Sequence, residues 1–63
     1  FKQAIEDFTI VLNLNPEYLS ALDMRGSSYQ KNNIIIKACE DWSLAVKSGY
    51  EFSKENIKKY CLE

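Results

Sequence analysis

The 63-residue sequence has no histidine, one proline, two glycines and two cysteines. Each scarcity excludes something. Without histidine the chain lacks both the commonest general base and the commonest neutral metal ligand. Cys39 and Cys61 are too few for a zinc site of their own and too widely spaced for a redox CxxC motif. No apolar run exceeds three residues, Ile34–Ile36 among them, where a bilayer needs about 20. Positive charge is not in excess either. A net charge of -1 and a pI near 5.4 argue against nucleic acid, whose binding requires a basic face that releases phosphate counterions. No secretory leader is visible, but the chain starts in what reads as mid-helix, so this absence leaves the compartment unknown.

What is present is globular in character, with 46% hydrophobic and 27% charged residues. A chain this short buries only about 60% of its unfolded surface, so its stability is marginal unless something adds burial.

Apolar residues recur at helical spacing. Phe1, Ala4, Ile5, Phe8, Val11 and Leu12 form one face of a first helix. Asn13-Leu14-Asn15-Pro16 ends it, and Asn15 followed by Pro16 and Glu17 reads as N-cap, first turn and favourable dipole partner of a second helix. That helix is expected over Pro16 to Lys31. Tyr18, Ala21, Leu22, Gly26 and Tyr29 lie on its apolar side; Ser20, Asp23, Ser27, Gln30 and Lys31 lie on the other. Asn32-Asn33 is a turn signal. A third helix carries Ile35, Ala38, Cys39, Trp42, Ala45 and Val46 on one face and ends at Ser48-Gly49. A fourth is expected from Ser53, as N-cap, to Leu62, with Ile57, Tyr60 and Cys61 as its stripe. Ile34-Ile35-Ile36 also has strand propensity, but the helical period from Ile35 to Val46 outweighs three residues. The expected fold is all-α, four helices with antiparallel neighbours.

The chain also repeats itself. Shifted by 34 positions, Phe1 falls on Ile35, Ala4 on Ala38, Ile5 on Cys39, Phe8 on Trp42, Val11 on Ala45 and Leu12 on Val46. Glu6-Asp7 falls on Glu40-Asp41. The first and third helices are therefore one element seen twice. A period of 34 residues is that of helix-turn-helix repeats with the pattern W-x2-L-G-x2-Y, then A-x3-F, then P. Here it reads Leu22-x2-Arg25-Gly26-x2-Tyr29, then Ala38-x3-Trp42. An earlier copy gives Ala4-x3-Phe8 and Pro16. Over residues 1–50 the sequence thus resembles the tetratricopeptide repeat family. Its last stretch, from Ala38-Cys39-Glu40-Asp41-Trp42 to Lys58-Lys59-Tyr60-Cys61, resembles the C-terminal end of many bacterial members. Arg25 stands where the pattern has leucine, and Tyr50 where it has the second proline.

The resemblance implies an α-solenoid of antiparallel helix-turn-helix repeats. Residues 1–14 would be the second helix of a truncated repeat, 16–49 one full repeat, and 51–63 a capping helix of the kind solenoids use to cover their last apolar face. It implies a C-terminal piece of a longer array and a protein–protein interaction scaffold rather than an enzyme. No cofactor is expected. A protein or peptide partner would sit in the concave groove lined by Ser20, Asp23, Met24, Ser27, Gln30 and Lys31. Asp23 would repel a carboxylate terminus, so tail clamping is not expected. A noncatalytic appendage of a larger enzyme or regulator and a helix-turn-helix DNA-binding module are the alternatives, the latter opposed by the acidic pI.

The remaining features have plain readings. Gly26 is expected to allow close helix packing, and Phe8, Leu22, Tyr29, Ala38, Trp42 and Ala45 to form the core. Glu6-Asp7 and Glu40-Asp41 read as a solvated face, as does the cluster Lys54, Lys58 and Lys59. Cys39 and Cys61 should lie near each other, as buried free thiols in preference to the alternative, a disulfide. The first helix leaves Phe1, Ile5, Phe8 and Leu12 incompletely covered, a face through which two copies of the chain would form a homodimer.

Overall fold

The computed structural model describes residues 1–61, and within them the chain is helical with no strand. The helices are α1 (Lys2–Leu14), α2 (Leu19–Lys31), α3 (Ile35–Lys47) and α4 (Lys54–Tyr60), the last entered through a 3-10 turn at Glu51–Ser53. The expected end of the fourth helix at Leu62 lies outside the described residues.

Each helix packs on its neighbour in the chain. Arg25 of α2 reaches Thr9 of α1 while Lys31 lies over Phe1. On its other side Arg25 pairs with Asp41 of α3 while Lys37 lies over Tyr29. Rising numbers on one helix meet falling numbers on the next, so the pairs are antiparallel. The molecule measures 32 × 25 × 13 Å. Its least dimension fits about two helix layers, given an interaxial separation of about 9 Å and a backbone radius of about 2.3 Å.

The turns follow from local chemistry. At the end of α2, Asn33 takes the left-handed conformation at φ 63°. The N–H of Ile34 then donates to the carbonyl of Tyr29 at 2.8 Å, and that of Asn33 to Gln30 at 3.0 Å. Gly49, at φ 112°, repeats the arrangement after α3: Tyr50 donates to Ala45 and Gly49 to Val46. Both are Schellman caps, which satisfy carbonyls that a helix end would otherwise orphan. Ile34 is thereby consumed in a cap and Ile35–Ile36 open α3, so the strand propensity of the triplet is overridden.

Two helix starts differ from expectation. Asn15 does not cap α2. The N–H of Tyr18 donates to its carbonyl at 3.1 Å, closing a turn with Pro16 in the second position, and the helix begins at Leu19. Proline's fixed φ suits that turn position as well as a first helical turn. Ser53 does not cap α4 either; it is itself helical, and its hydroxyl donates to Asp23 of α2.

Leu12, Ala21, Leu22 and Ala45 form a buried cluster, with Phe8, Val11, Leu19 and Tyr50 packed at its edge. Ala38 and Trp42 are also fully buried. Phe8 and Tyr29, expected in the core, are only half-buried. Phe8 belongs to α1, which is covered from one side, and Tyr29 gives its ring to the cations of Arg25 and Lys37.

The cysteines correct a second expectation. Cys39 and Cys61 do meet, but as a disulfide rather than as two thiols. Their Cα atoms lie 5.9 Å apart, inside the range a bridge requires. Facing stripes on α3 and α4 set the approach; composition alone did not fix the bond.

Candidate functional site

The side chains singled out on α2 recur at intervals of three and four and so share one face. Ser20, Ser27 and Gln30 are half-buried there, and Met24 and Lys31 are exposed. Lys31 holds its ammonium 5.6 Å from the centre of the Phe1 ring. These five offer hydroxyls, an amide, a thioether and a cation, a set suited to hydrogen bonding and contact.

Asp23 stands apart from the other five. Its Oδ1 accepts the hydroxyl of Ser53 at 2.5 Å and the amide of Asn56 at 3.2 Å. Its backbone carbonyl accepts the indole N–H of Trp42 at 3.2 Å. Asp23 therefore joins α2 to α3 and to the C-terminal segment, and meets any ligand with one of its two carboxylate oxygens, Oδ1, already engaged. Sequence reasoning placed it in the groove but could not see the joint, because Ser53 read as a cap and nothing singled out Asn56.

Beneath that face lies a tight seam. A Cβ added to Gly26 would stand 2.5 Å from Nε1 and 2.8 Å from Cδ1 of Trp42, closer than real side chains approach. Only glycine lets the indole lie on the helix backbone. Tyr60 stacks on Trp42, ring centres 5.6 Å apart. The glycine is therefore explained by packing.

A polar network was missed. Arg25 makes a bidentate pair with Asp41, Nε to Oδ2 at 2.8 Å and an Nη to Oδ1 at 2.9 Å, and donates to the Thr9 hydroxyl at 3.3 Å. Thr9 in turn donates to the carbonyl of Ile5. Asp41 is buried, which overturns its reading as part of a solvated face; Glu6, Asp7 and Glu40 are exposed as expected. The hydrogen bonds to Asp41 hold the Arg25 guanidinium pKa above its already strongly basic value, against the opposing effect of burial. A raised pKa means that the stabilisation is fully present below the unfolded value and is lost only in strong alkali. The legible signal was an arginine at an apolar position of the repeat, with an acid one helix away.

On the C-terminal segment a shallow depression is lined by Glu51, Phe52, Lys54, Glu55 and Lys58. Its charges are mixed, and Lys54 lies 3.8 Å from Glu51. Lys59 sits over the Tyr60 ring. No cluster of three or more metal-ligating side chains occurs among the described residues. No helix among them is long and apolar enough to cross a membrane.

No family model matches the sequence, and neither the curated proteins nor the solved structures yield a match.

Proposed function

We propose that the chain is a helical-repeat module of tetratricopeptide type, a noncatalytic scaffold that binds a protein or peptide partner along the polar face of α2. The observation that carries the reading is the coincidence of the 34-residue register with packing: Gly26 and Trp42 stand at the pattern's glycine and aromatic positions and lie against each other. Sequential antiparallel packing in about two layers supports a solenoid, since each helix needs its neighbour to bury an apolar stripe. Ser20, Met24, Ser27, Gln30 and Lys31 are none of them buried, which leaves them available to a partner on this reading.

The bound segment is expected to be extended and uncharged at its terminus, contacting Met24 through apolar side chains and Ser27 and Gln30 through its backbone. Selection from a random-peptide display library tests this. Peptides enriched on the native chain should lose at least tenfold in affinity on Ser27→Arg, which blocks the middle of the face. Ligands that bind the two chains equally would place the site elsewhere and end the proposal.

A further inference from the structure

The buried cluster of Leu12, Ala21, Leu22 and Ala45, with Phe8, Val11, Leu19 and Tyr50 at its edge, contains no residue of α4. α4 itself has seven residues, none buried, and a helix shorter than about 12 residues is marginal alone. It lies over two groups. Tyr60 stacks on the Trp42 indole; Asn56, with Ser53 just ahead of the helix, donates to Asp23 Oδ1. Those groups adjoin, since the Asp23 carbonyl accepts the indole N–H. Both donors to the carboxylate are neutral, and Asp23 has no cationic partner among the described residues. The Cys39–Cys61 bond fastens the cover. Both cysteines are only half-buried, so an attacking thiolate can reach them.

We propose that α4 is a redox-opened lid over a guanidinium site formed by Trp42 and Asp23. A dithiol opens it. One thiolate attacks a sulfur of the bridge, the second thiol resolves the mixed disulfide, and the reagent leaves as its own disulfide. Two electrons and two protons pass from the dithiol to Cys39 and Cys61, which become thiols. α4 then gives up the indole surface and the carboxylate to solvent. The molecule already holds one arginine in this way: Arg25 is bidentate to Asp41 and stands 5.7 Å from the centre of the Tyr29 ring. An arginine of a partner peptide would pair with Asp23 and stack on Trp42. Its charge-assisted bonds are stronger than those of the neutral hydroxyl and amide it replaces. The site shares Asp23 with the candidate face of α2 but needs no peptide bound there, so each can fail without the other.

The test titrates acetyl-arginine amide into the full chain, oxidised and in excess dithiothreitol, with acetyl-citrulline amide as the uncharged isostere. Trp42 is the single tryptophan, so its indole resonance reports on this site. In the dithiol the contact between the Tyr60 and Trp42 rings should vanish while amide protection at Leu22 and Ala45 persists. The arginine derivative should then bind at least tenfold more tightly than to the oxidised chain, and at least tenfold more tightly than the citrulline derivative. Cys39→Ser with Cys61→Ser should match the reduced chain without any thiol. Asp23→Asn in that background should lower the arginine affinity to that of citrulline. Loss of core protection on reduction, a ring contact that persists, or equal affinity for the two derivatives overturns the proposal. Equal binding to the oxidised and reduced chains overturns it as well, because the site would then need no opening.

Discussion

At the scale of single residues, Gly26 separates the account from ordinary helix propensity. Alanine in a helix interior is normally favoured over glycine by about 1 kcal/mol. Here the new methyl would meet the fully buried Trp42 ring, which cannot withdraw without disturbing the stack with Tyr60. Gly26→Ala is therefore expected to destabilise by about 1–3 kcal/mol, the usual penalty of overpacking, read from the midpoint of urea unfolding. A gain in stability would show that the indole does not lie on that helix. The Arg25–Asp41 pair gives a second residue-level expectation. Its side chains retain 20% and 9% of their exposure, so solvent softens the cost of a broken buried pair. Asp41→Ala should cost about 2–3 kcal/mol, below the range for full burial, while Arg25→Leu with Asp41→Leu should recover most of it. A loss in the double variant equal to the sum of the Asp41 and Arg25 single losses would mean that the pair is not coupled. The packing role of the glycine was legible in the sequence because the repeat pattern has a glycine there; that the ring it meets is Trp42 was not. The ion pair was not, because an acid beside Glu40 on a helix looks solvated until the facing helix is placed.

At the scale of elements, the turns were legible where one residue type dictates the backbone and illegible where it serves two geometries. Asn33 and Gly49 stop their helices because both tolerate positive φ. Pro16 and Ser53 misled because proline fits both a turn and a first helical turn, and because a serine hydroxyl goes to whichever acceptor is nearer, here Asp23. Asn33→Ala should cost about 1–2 kcal/mol, since alanine resists the left-handed conformation, while Asn33→Gly should be neutral or better. Thermal unfolding of the two variants checks this, and equal loss in both would point to the asparagine side chain instead. The last helix is the weakest element. α4 has seven residues, none of them buried, and is held by the Cys39–Cys61 bond, the Trp42–Tyr60 stack and the two hydrogen bonds to Asp23. A bridge across 22 residues is worth about 3 kcal/mol by loop-closure entropy. Reduction by a dithiol should lower stability by that order and free α4 before the other helices unfold, visible as early amide exchange confined to residues 54–60. Uniform exchange along the chain would show that α4 does not depend on the bond.

At the scale of the whole molecule, helix number, antiparallel order and the two cysteine-bearing stripes were readable because they depend on periodicity, which a slab of helices preserves. The candidate face was readable only as a list of positions. Whether a polar side chain there is free or spoken for depends on contacts between residues about 30 apart in sequence, as the engagement of Asp23 Oδ1 by Ser53 and Asn56 shows. What remains is the set Ser20, Met24, Ser27, Gln30 and Lys31 on one helix, its C-terminal end held by the cap at Asn33 and its middle beside the Gly26–Trp42 seam. A rigid helix with a graded face, from hydroxyl through thioether and amide to cation, suits contact with a chain lying across it. The most direct measurement is an amide NMR footprint of a display-selected peptide at saturation. The account predicts shifts concentrated at Ser20, Met24, Ser27, Gln30 and Lys31, with the outer side of α3 around Ile36 and Leu44 unmoved. A footprint centred on the Glu51–Lys58 depression, or spread over α3 and absent from α2, would contradict it.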